Sequence, residues 1–310
     1  MPRLLIDTDP GVDDAFALAL AARAPEVDLA AVTTVFGNVG LPATTANALG
    51  LLAACERPDV PVAAGAARAL VFPAVREAGH VHGEDGLSGQ SARLPRHPGL
   101  TPGGAVPLLA RVLAESPEPV TIAPIGPLTN IALLLAAYPD LKPKIARLVV
   151  MGGGLTGGNS TPAAEFNLWA DPEAAYRVLV EEDVPTLLVP IDLTYRCAVD
   201  GPWLDALRDS GPLGALLESF TPSYRAHYTS LLGRDCTILH DAVAVAEAIL
   251  PGTLRTERLP ITVQTTGPGR GAVIADRRLG VPPSPGYREI DVAVDTDLDA
   301  LRALVLDRLR

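Results

Sequence analysis

The residues best suited to chemistry sit at the start of the chain. Asp7-Thr8-Asp9-Pro10-Gly11-Val12-Asp13-Asp14 puts four carboxylates within eight residues, directly after a short apolar run. Like charges at this density repel one another unless protons or a cation offset them. Carboxylate oxygens are hard ligands and suit Ca²⁺ or Mg²⁺. Pro10 and Gly11 supply a tight turn that could fold the early and late aspartates toward one point. Asp13 and Asp14 would also favour a helix N-terminus. That leaves Asp7 and Asp9, at a strand end, unexplained without an ion.

Rival motifs fit less well. An EF-hand loop starting at Asp7 wants an acid or amide at its fifth position and Glu at its twelfth; Gly11 and Leu18 stand there. A strand followed by Asp-x-Asp also opens the haloacid dehalogenase-like phosphatases, with Asp7 forming a phosphoaspartate. That motif prefers Thr or Val where Gly11 stands and needs a later lysine. The only lysines, Lys142 and Lys144, flank Pro143 in an apparent surface turn. A Mg²⁺-dependent phosphohydrolase using Asp7 is kept as an alternative. Gly152-Gly153-Gly154-Leu155-Thr156-Gly157 satisfies G-x-G-x-x-G, but a dinucleotide fingerprint would next enter a helix. Here the chain runs into Gly158-Asn159-Ser160-Thr161-Pro162, which discounts nicotinamide binding.

The elements around these residues read as one α/β domain covering residues 1–310. Short apolar runs at 4–6, 27–34, 60–64, 120–125, 148–151 and 184–191 predict strands. Helical patterns begin near Asp13 and cover 45–55, 103–115 and 128–137. Pro172 opens another, with Asp171 as its N-cap. A helical region covers 203–232 and another begins near Asp241. A β-like run at 259–265 and a closing helix from Leu298 follow. Residues 66–103 look irregular, and 281–285 look like a surface loop. This alternation predicts an open, mostly parallel sheet with helices on both faces. Ligands in such sheets bind at the carboxyl ends of the strands.

Composition narrows the function classes. Of the 310 residues, 48% are hydrophobic and 20% charged, which excludes a disordered or collagen-like chain. The net charge of −11 argues against nucleic acid or an anionic membrane as partner. Cys55, Cys197 and Cys236 are odd in number and form no C-x-x-C pair, which argues against a disulfide framework and fits a reducing compartment. The acidic motif begins too early to leave room for a signal peptide. No apolar run reaches the roughly 20 residues that span a bilayer. The expectation is a soluble cytoplasmic protein.

Further segments give the acidic loop its context. Phe36-Gly37-Asn38, His82-Gly83-Glu84-Asp85-Gly86 and Gly126-Pro127-Leu128-Thr129-Asn130 follow it in order. Then come Met151-Gly152-Gly153, Gly158-Asn159, Thr161-Pro162-Ala163-Ala164-Glu165-Phe166-Asn167, Asp171-Pro172-Glu173-Ala174-Ala175 and His240-Asp241-Ala242-Val243-Ala244. Taken together, this ordered set resembles the nucleoside hydrolases of the inosine-uridine-preferring family, over about residues 4–245 and more loosely to the end.

The resemblance implies a nucleoside-hydrolase fold, an N-ribohydrolase that splits a ribonucleoside into base and ribose, one Ca²⁺ per subunit, and homo-oligomers, tetramers or dimers. By carry-over, Asp9, Asp14, Asp241 and the backbone carbonyl of Ile125 are the Ca²⁺ ligands. Asp13, Asn38, Asn159, Glu165 and Asn167 resemble the ribose-binding set. Asp9 would also take the proton of the attacking water, His82 looks like the base-side histidine, and His240 would help the base leave. The role in nucleoside salvage follows from the class.

Blander roles exist for several of these. Asn159 fits an αL turn residue, Glu165 a solvated loop acid and Asn167 an ordinary loop amide. Tyr224 and Tyr228, one helical turn apart, fit core aromatics, or in the case of Tyr228 a place beside the base and His240. A non-catalytic nucleoside- or ribose-binding protein on the same fold is the remaining alternative.

Overall fold

The computed structural model describes residues 1–72, 77–278 and 280–310. Nine strands form one sheet: β1 (Arg3–Thr8), β2 (Asp28–Thr34), β3 (Val62–Ala64), β4 (Val120–Pro124), β5 (Ile145–Met151), β6 (Thr186–Val189), β7 (Leu254–Val263), β8 (Val273–Ala275) and β9 (Arg288–Thr296). Their order is β3-β2-β1-β4-β5-β6-β9-β7-β8. Pairing is parallel from β3 across to β9. β7 runs antiparallel to both β9 and β8 at the far edge.

Successive side chains of a strand point to opposite faces, and here both faces are covered. Leu4 and Ile6 enter one apolar cluster with Phe16, Leu51 and Val243. Leu5 enters the other with Leu109, Leu135 and Val178. β5 repeats the pattern, with Val149 and Met151 on one side and Leu148 and Val150 on the other. Helices Val12–Arg23 and His240–Ile249 pack together on the first face. That packing brings the two acid-bearing helix starts into one place. No helix among the described residues is long and apolar enough to cross a membrane.

Most boundaries follow the sequence reading, and the exceptions have local causes. Helix Leu41–Ala54 starts four residues ahead of position 45, because Pro42 falls within its first turn. There the missing proline N–H would have had no partner anyway. The helical region at 203–232 is three helices, Gly201–Arg208, Pro212–Glu218 and Pro222–Leu232, each with a proline in its first two positions. Among its described residues, the irregular stretch at 66–103 contains one short helix, Gly79–His82, and a single 3₁₀ turn, Ser91–Arg93. Its residues 73–76 lie outside the described residues. Residues 281–285 form a loop, and the run predicted at 259–265 falls on the second half of β7, which ends at Val263.

Candidate active site

The carboxyl end of β1 delivers Asp7 and Asp9. Backbone bonds from Val35 N to Thr8 O and from Ile125 N to Asp7 O extend the ladder past the strand ends, and so align the loops after β1, β2 and β4. Asp7 is fully buried, and its Oδ1 accepts from Thr33 Oγ1 at 2.5 Å and Asn130 Nδ2 at 2.8 Å. Burial pushes its carboxyl up to about 7. Lys142 pairs with Glu182, and Lys144 Nζ donates to Ser116 O. Both lysines precede β5, at the end of the sheet opposite Asp9. A buried Asp7 with no lysine near it does not suit a phosphoaspartate.

Asp9 is caged. Its Oδ2 accepts from Asn38 N at 2.7 Å, while its buried Oδ1 has no partner among the described residues. A Cβ at Gly37 or Gly126 would run into its carboxylate. Asp14 is tied down by Thr8 Oγ1 at 2.5 Å, and by Gly11 N and Asn38 Nδ2 at 2.9 Å each. Asp13, Asp14 and Asp241 bring carboxylate oxygens within 4.8 Å of one another, all buried. Asp9 is not in that trio. Burial first, and then neighbouring carboxylates, hold Asp9, Asp13 and Asp241 well above the ordinary range, and burial raises Asp14. Among the described residues, His82 is the one basic side chain within 4.0 Å of these acids; its Nδ1 lies 3.9 Å from Asp13 Oδ1.

These acids border a cavity of about 380 Å³. Of the residues singled out from the sequence, Asp9 and Asp14 are buried beside it and the others line it. Glu165 is no solvated acid. It is 2% exposed and N-caps helix Phe166–Ala170, with Oε1 accepting from Asn167 N and Oε2 from Gly153 N. Asn167 is buried and donates to the Ile125 carbonyl at 2.9 Å. Asn159 is exposed, and its Oδ1 accepts from Phe166 N at 2.9 Å. It does not adopt the left-handed backbone weighed for it.

Four histidines line the cavity, His80, His82, His227 and His240, and of these His82 and His240 are buried. His82 Nδ1 accepts from Val12 N at 3.1 Å, so its ring proton sits on Nε2. His240 has Thr194 Oγ1 2.6 Å from Nδ1 and the Tyr228 hydroxyl 2.8 Å from Nε2. Burial pushes both rings down to about 3, which keeps them neutral. Sequence reasoning missed Thr194 and Tyr195, and left Tyr224 unassigned. Tyr195 packs edge-on to the His240 ring, with centroids 5.5 Å apart. Tyr224 lies 5.0 Å from the His82 ring, and its buried hydroxyl faces Asp13 and Tyr228. The placement of 191–195 just past the carboxyl end of β6 was the one signal available for Thr194 and Tyr195.

The profile of the inosine-uridine preferring nucleoside hydrolases matches residues 4–303. The chain belongs to this family. The family is metal-dependent, and its members hydrolyse the N-glycosyl bond of ribonucleosides, which makes this chain a ribonucleoside hydrolase. The pyrimidine-specific ribonucleoside hydrolase RihA of Salmonella paratyphi B is 38% identical, over 99% of this chain and 98% of the relative. A plant nucleoside hydrolase, PpNRh1, superposes with a TM-score of 0.93 at 32% identity, over 99% of this chain and 98% of the other. A purine-preferring ribonucleoside hydrolase from Gardnerella vaginalis gives 0.90 at 28% identity, with the same shares covered. The expected α/β nucleoside-hydrolase fold is therefore the observed one.

Proposed function

We propose that this enzyme is a Ca²⁺-dependent ribonucleoside hydrolase, one domain of 310 residues, that releases base and ribose in nucleoside salvage. The observation that carries this reading is the set of buried carboxylates beside a cavity that also holds neutral histidine and tyrosine side chains. The partnerless Asp9 Oδ1 and the uncompensated Asp13, Asp14 and Asp241 suit a hard divalent cation. Asp9, Asp14, Asp241 and the Ile125 carbonyl would hold it. A bound Ca²⁺ lowers the pKa of a water and fixes its position.

The chain's own residues do the rest. Asp13, Asn38, Asn159, Glu165 and Asn167 bind the ribose hydroxyls through a mix of donors and acceptors. Asp9 takes the proton of the water that attacks the ribose carbon. Cleavage builds positive charge on the sugar and negative charge on the base. The carboxylates stabilise the former; His82, His240 and Tyr228 lie on the base side and offer hydrogen bonds to the latter. The three free, buried thiols suit a reducing cytoplasm. Assembly into a dimer or tetramer belongs to the same reading.

Free ribose measured after incubation with inosine, adenosine, guanosine, uridine and cytidine tests the proposal. The panel spans purines and pyrimidines because the relatives named above differ in their base. Ribose release from at least one nucleoside, and no phosphate from a generic phosphate ester, is expected. Tight nucleoside binding without product would make the protein a binder. Elemental analysis should find about one calcium per chain; zinc alone, or no ion after calcium is added, would remove the metal assignment.

A further inference from the structure

His240 is bracketed by two hydroxyls, Thr194 Oγ1 at Nδ1 and Tyr228 Oη at Nε2. Thr194, His240 and Tyr228 are 0%, 4% and 5% exposed. A neutral imidazole carries one ring proton, so one nitrogen donates and the other accepts. Two arrangements are available. In the first, Nδ1–H donates to Thr194, whose own O–H then needs another acceptor. Among the described residues, His240 Nδ1 is the only hydrogen-bond partner of Thr194 Oγ1. That hydroxyl hydrogen would be buried and unpaired. In the second, Thr194 donates to Nδ1, and the ring proton on Nε2 donates to Tyr228 Oη. The hydrogen then left over is that of Tyr228, which lines the cavity where water or a ligand can accept it, whereas in the first arrangement it is that of Thr194, which is sealed off, the costlier outcome.

The second arrangement has a consequence for the cavity. The Tyr228 oxygen accepts from His240, so its own hydrogen points elsewhere. Tyr228 lines the cavity, while Thr194 does not. Among the described residues, His240 is the one side chain in hydrogen-bond geometry with Tyr228 Oη, so none takes up that hydrogen. We propose that Thr194 is a positioning residue that holds His240 in its Nε2–H form and thereby makes the Tyr228 hydroxyl a hydrogen-bond donor to the departing base. The inference rests on the hydrolase reading above. The matching ligand chemistry is an acceptor on the base, a carbonyl oxygen or ring nitrogen where negative charge develops. No proton need leave Tyr228 or His240; the donor strengthens its bond as the charge grows.

The test uses the full-length protein with ¹⁵N-labelled histidine. The His240 signals, identified by their loss in His240→Gln, should show a protonated Nε2 and an unprotonated Nδ1. Thr194→Val should remove this single tautomer and lower kcat on the natural nucleoside by roughly 10- to 100-fold, the usual effect of losing an outer hydrogen-bond partner. Thr194→Ser, which keeps the hydroxyl, should restore most of the rate. p-Nitrophenyl riboside, whose leaving group needs little assistance, should change by less than about threefold with Thr194→Val. A wild-type ring proton on Nδ1, equal loss on both substrates, or wild-type kcat in Thr194→Val would overturn the proposal. If the valine variant does not fold, the wild-type spectrum and the serine variant still decide it. If wild-type protein releases ribose from no nucleoside, the hydrolase reading fails instead, while the spectrum still reports on Thr194.

Discussion

Buried acids occur in two settings in this molecule. Away from the cavity, Asp7 and Asp171 are held by neutral hydrogen-bond donors, and Glu182 and Glu247 are matched to cations. Glu182, 3% exposed, is held by Lys142 and Arg177, and Glu247, also 3% exposed, by Arg147 at 2.8 Å. Beside the cavity, Asp9, Asp13, Asp14 and Asp241 are as deeply buried, and among the described residues no Lys or Arg pairs with them. Folding has no use for uncompensated charge in a dry interior. The paired acids are therefore explained by stability, and the unpaired ones by a ligand that is not part of the polypeptide. The same contrast separates the residues whose loss should harm folding from those whose loss should harm only catalysis.

The largest expected effect falls on the unpaired side. Asp9→Asn keeps size and shape but cannot accept a proton from water. With calcium saturating, kcat should fall by roughly 10²- to 10⁴-fold, the usual contribution of a general base. Nucleoside affinity should change little, because the Asn38 backbone N–H can still bond the remaining carbonyl oxygen. Thermal unfolding should be near wild type or higher. Near wild-type turnover would take Asp9 out of the mechanism and weaken the claim that the unpaired acids exist for chemistry.

How far the contrast can be seen in the sequence depends on how local its parts are. The β1 loop announces itself, because four acids in eight residues have no other economical explanation. The strand-helix alternation was equally readable, since each strand's apolar run reports burial on both faces. The N-cap role of Glu165 is not legible in the sequence, because N-capping depends on where the next helix starts, and Phe166–Ala170 is only one turn long. Thr194 was invisible: it follows the predicted strand at 184–191 in a stretch that carries no motif. Its meaning arises only when β6 and helix His240–Ile249 bring positions 46 residues apart into contact. The cation partners Arg147 and Glu247 are likewise 100 residues apart and carry no sequence signature.

The next effect is on the paired side. Arg147 donates to both the Glu247 carboxylate and the Glu247 carbonyl, and Glu247 also accepts from Gly252 and Leu254. Arg147→Met should leave this buried carboxylate uncompensated. The expected loss is about 2 kcal/mol, below the range for a fully buried pair because the Arg147 side chain is 24% exposed. Chemical denaturation at neutral pH measures it, and kcat per folded molecule should stay unchanged. A stability loss under about 0.5 kcal/mol would mean that water already compensates Glu247.

The smallest effect carries the sharpest sign. Burial and then Asp13, Asp14 and Asp9 raise the Asp241 carboxyl in the folded state. A carboxyl raised on folding contributes stability below its unfolded pKa and loses it as pH rises through the folded one. At neutral pH, metal-free protein therefore bears a cost at Asp241 that a neutral amide removes. Asp241→Asn should make the metal-free protein more stable than wild type. Saturating calcium should reverse the ranking, because wild type gains binding energy that the variant has lost. Melting both proteins with chelator and then with calcium gives four numbers whose crossing is the prediction. If Asp241→Asn is less stable than wild type in chelator as well, the cluster is held together by bonds within the protein, and its acids belong with Glu182 and Glu247.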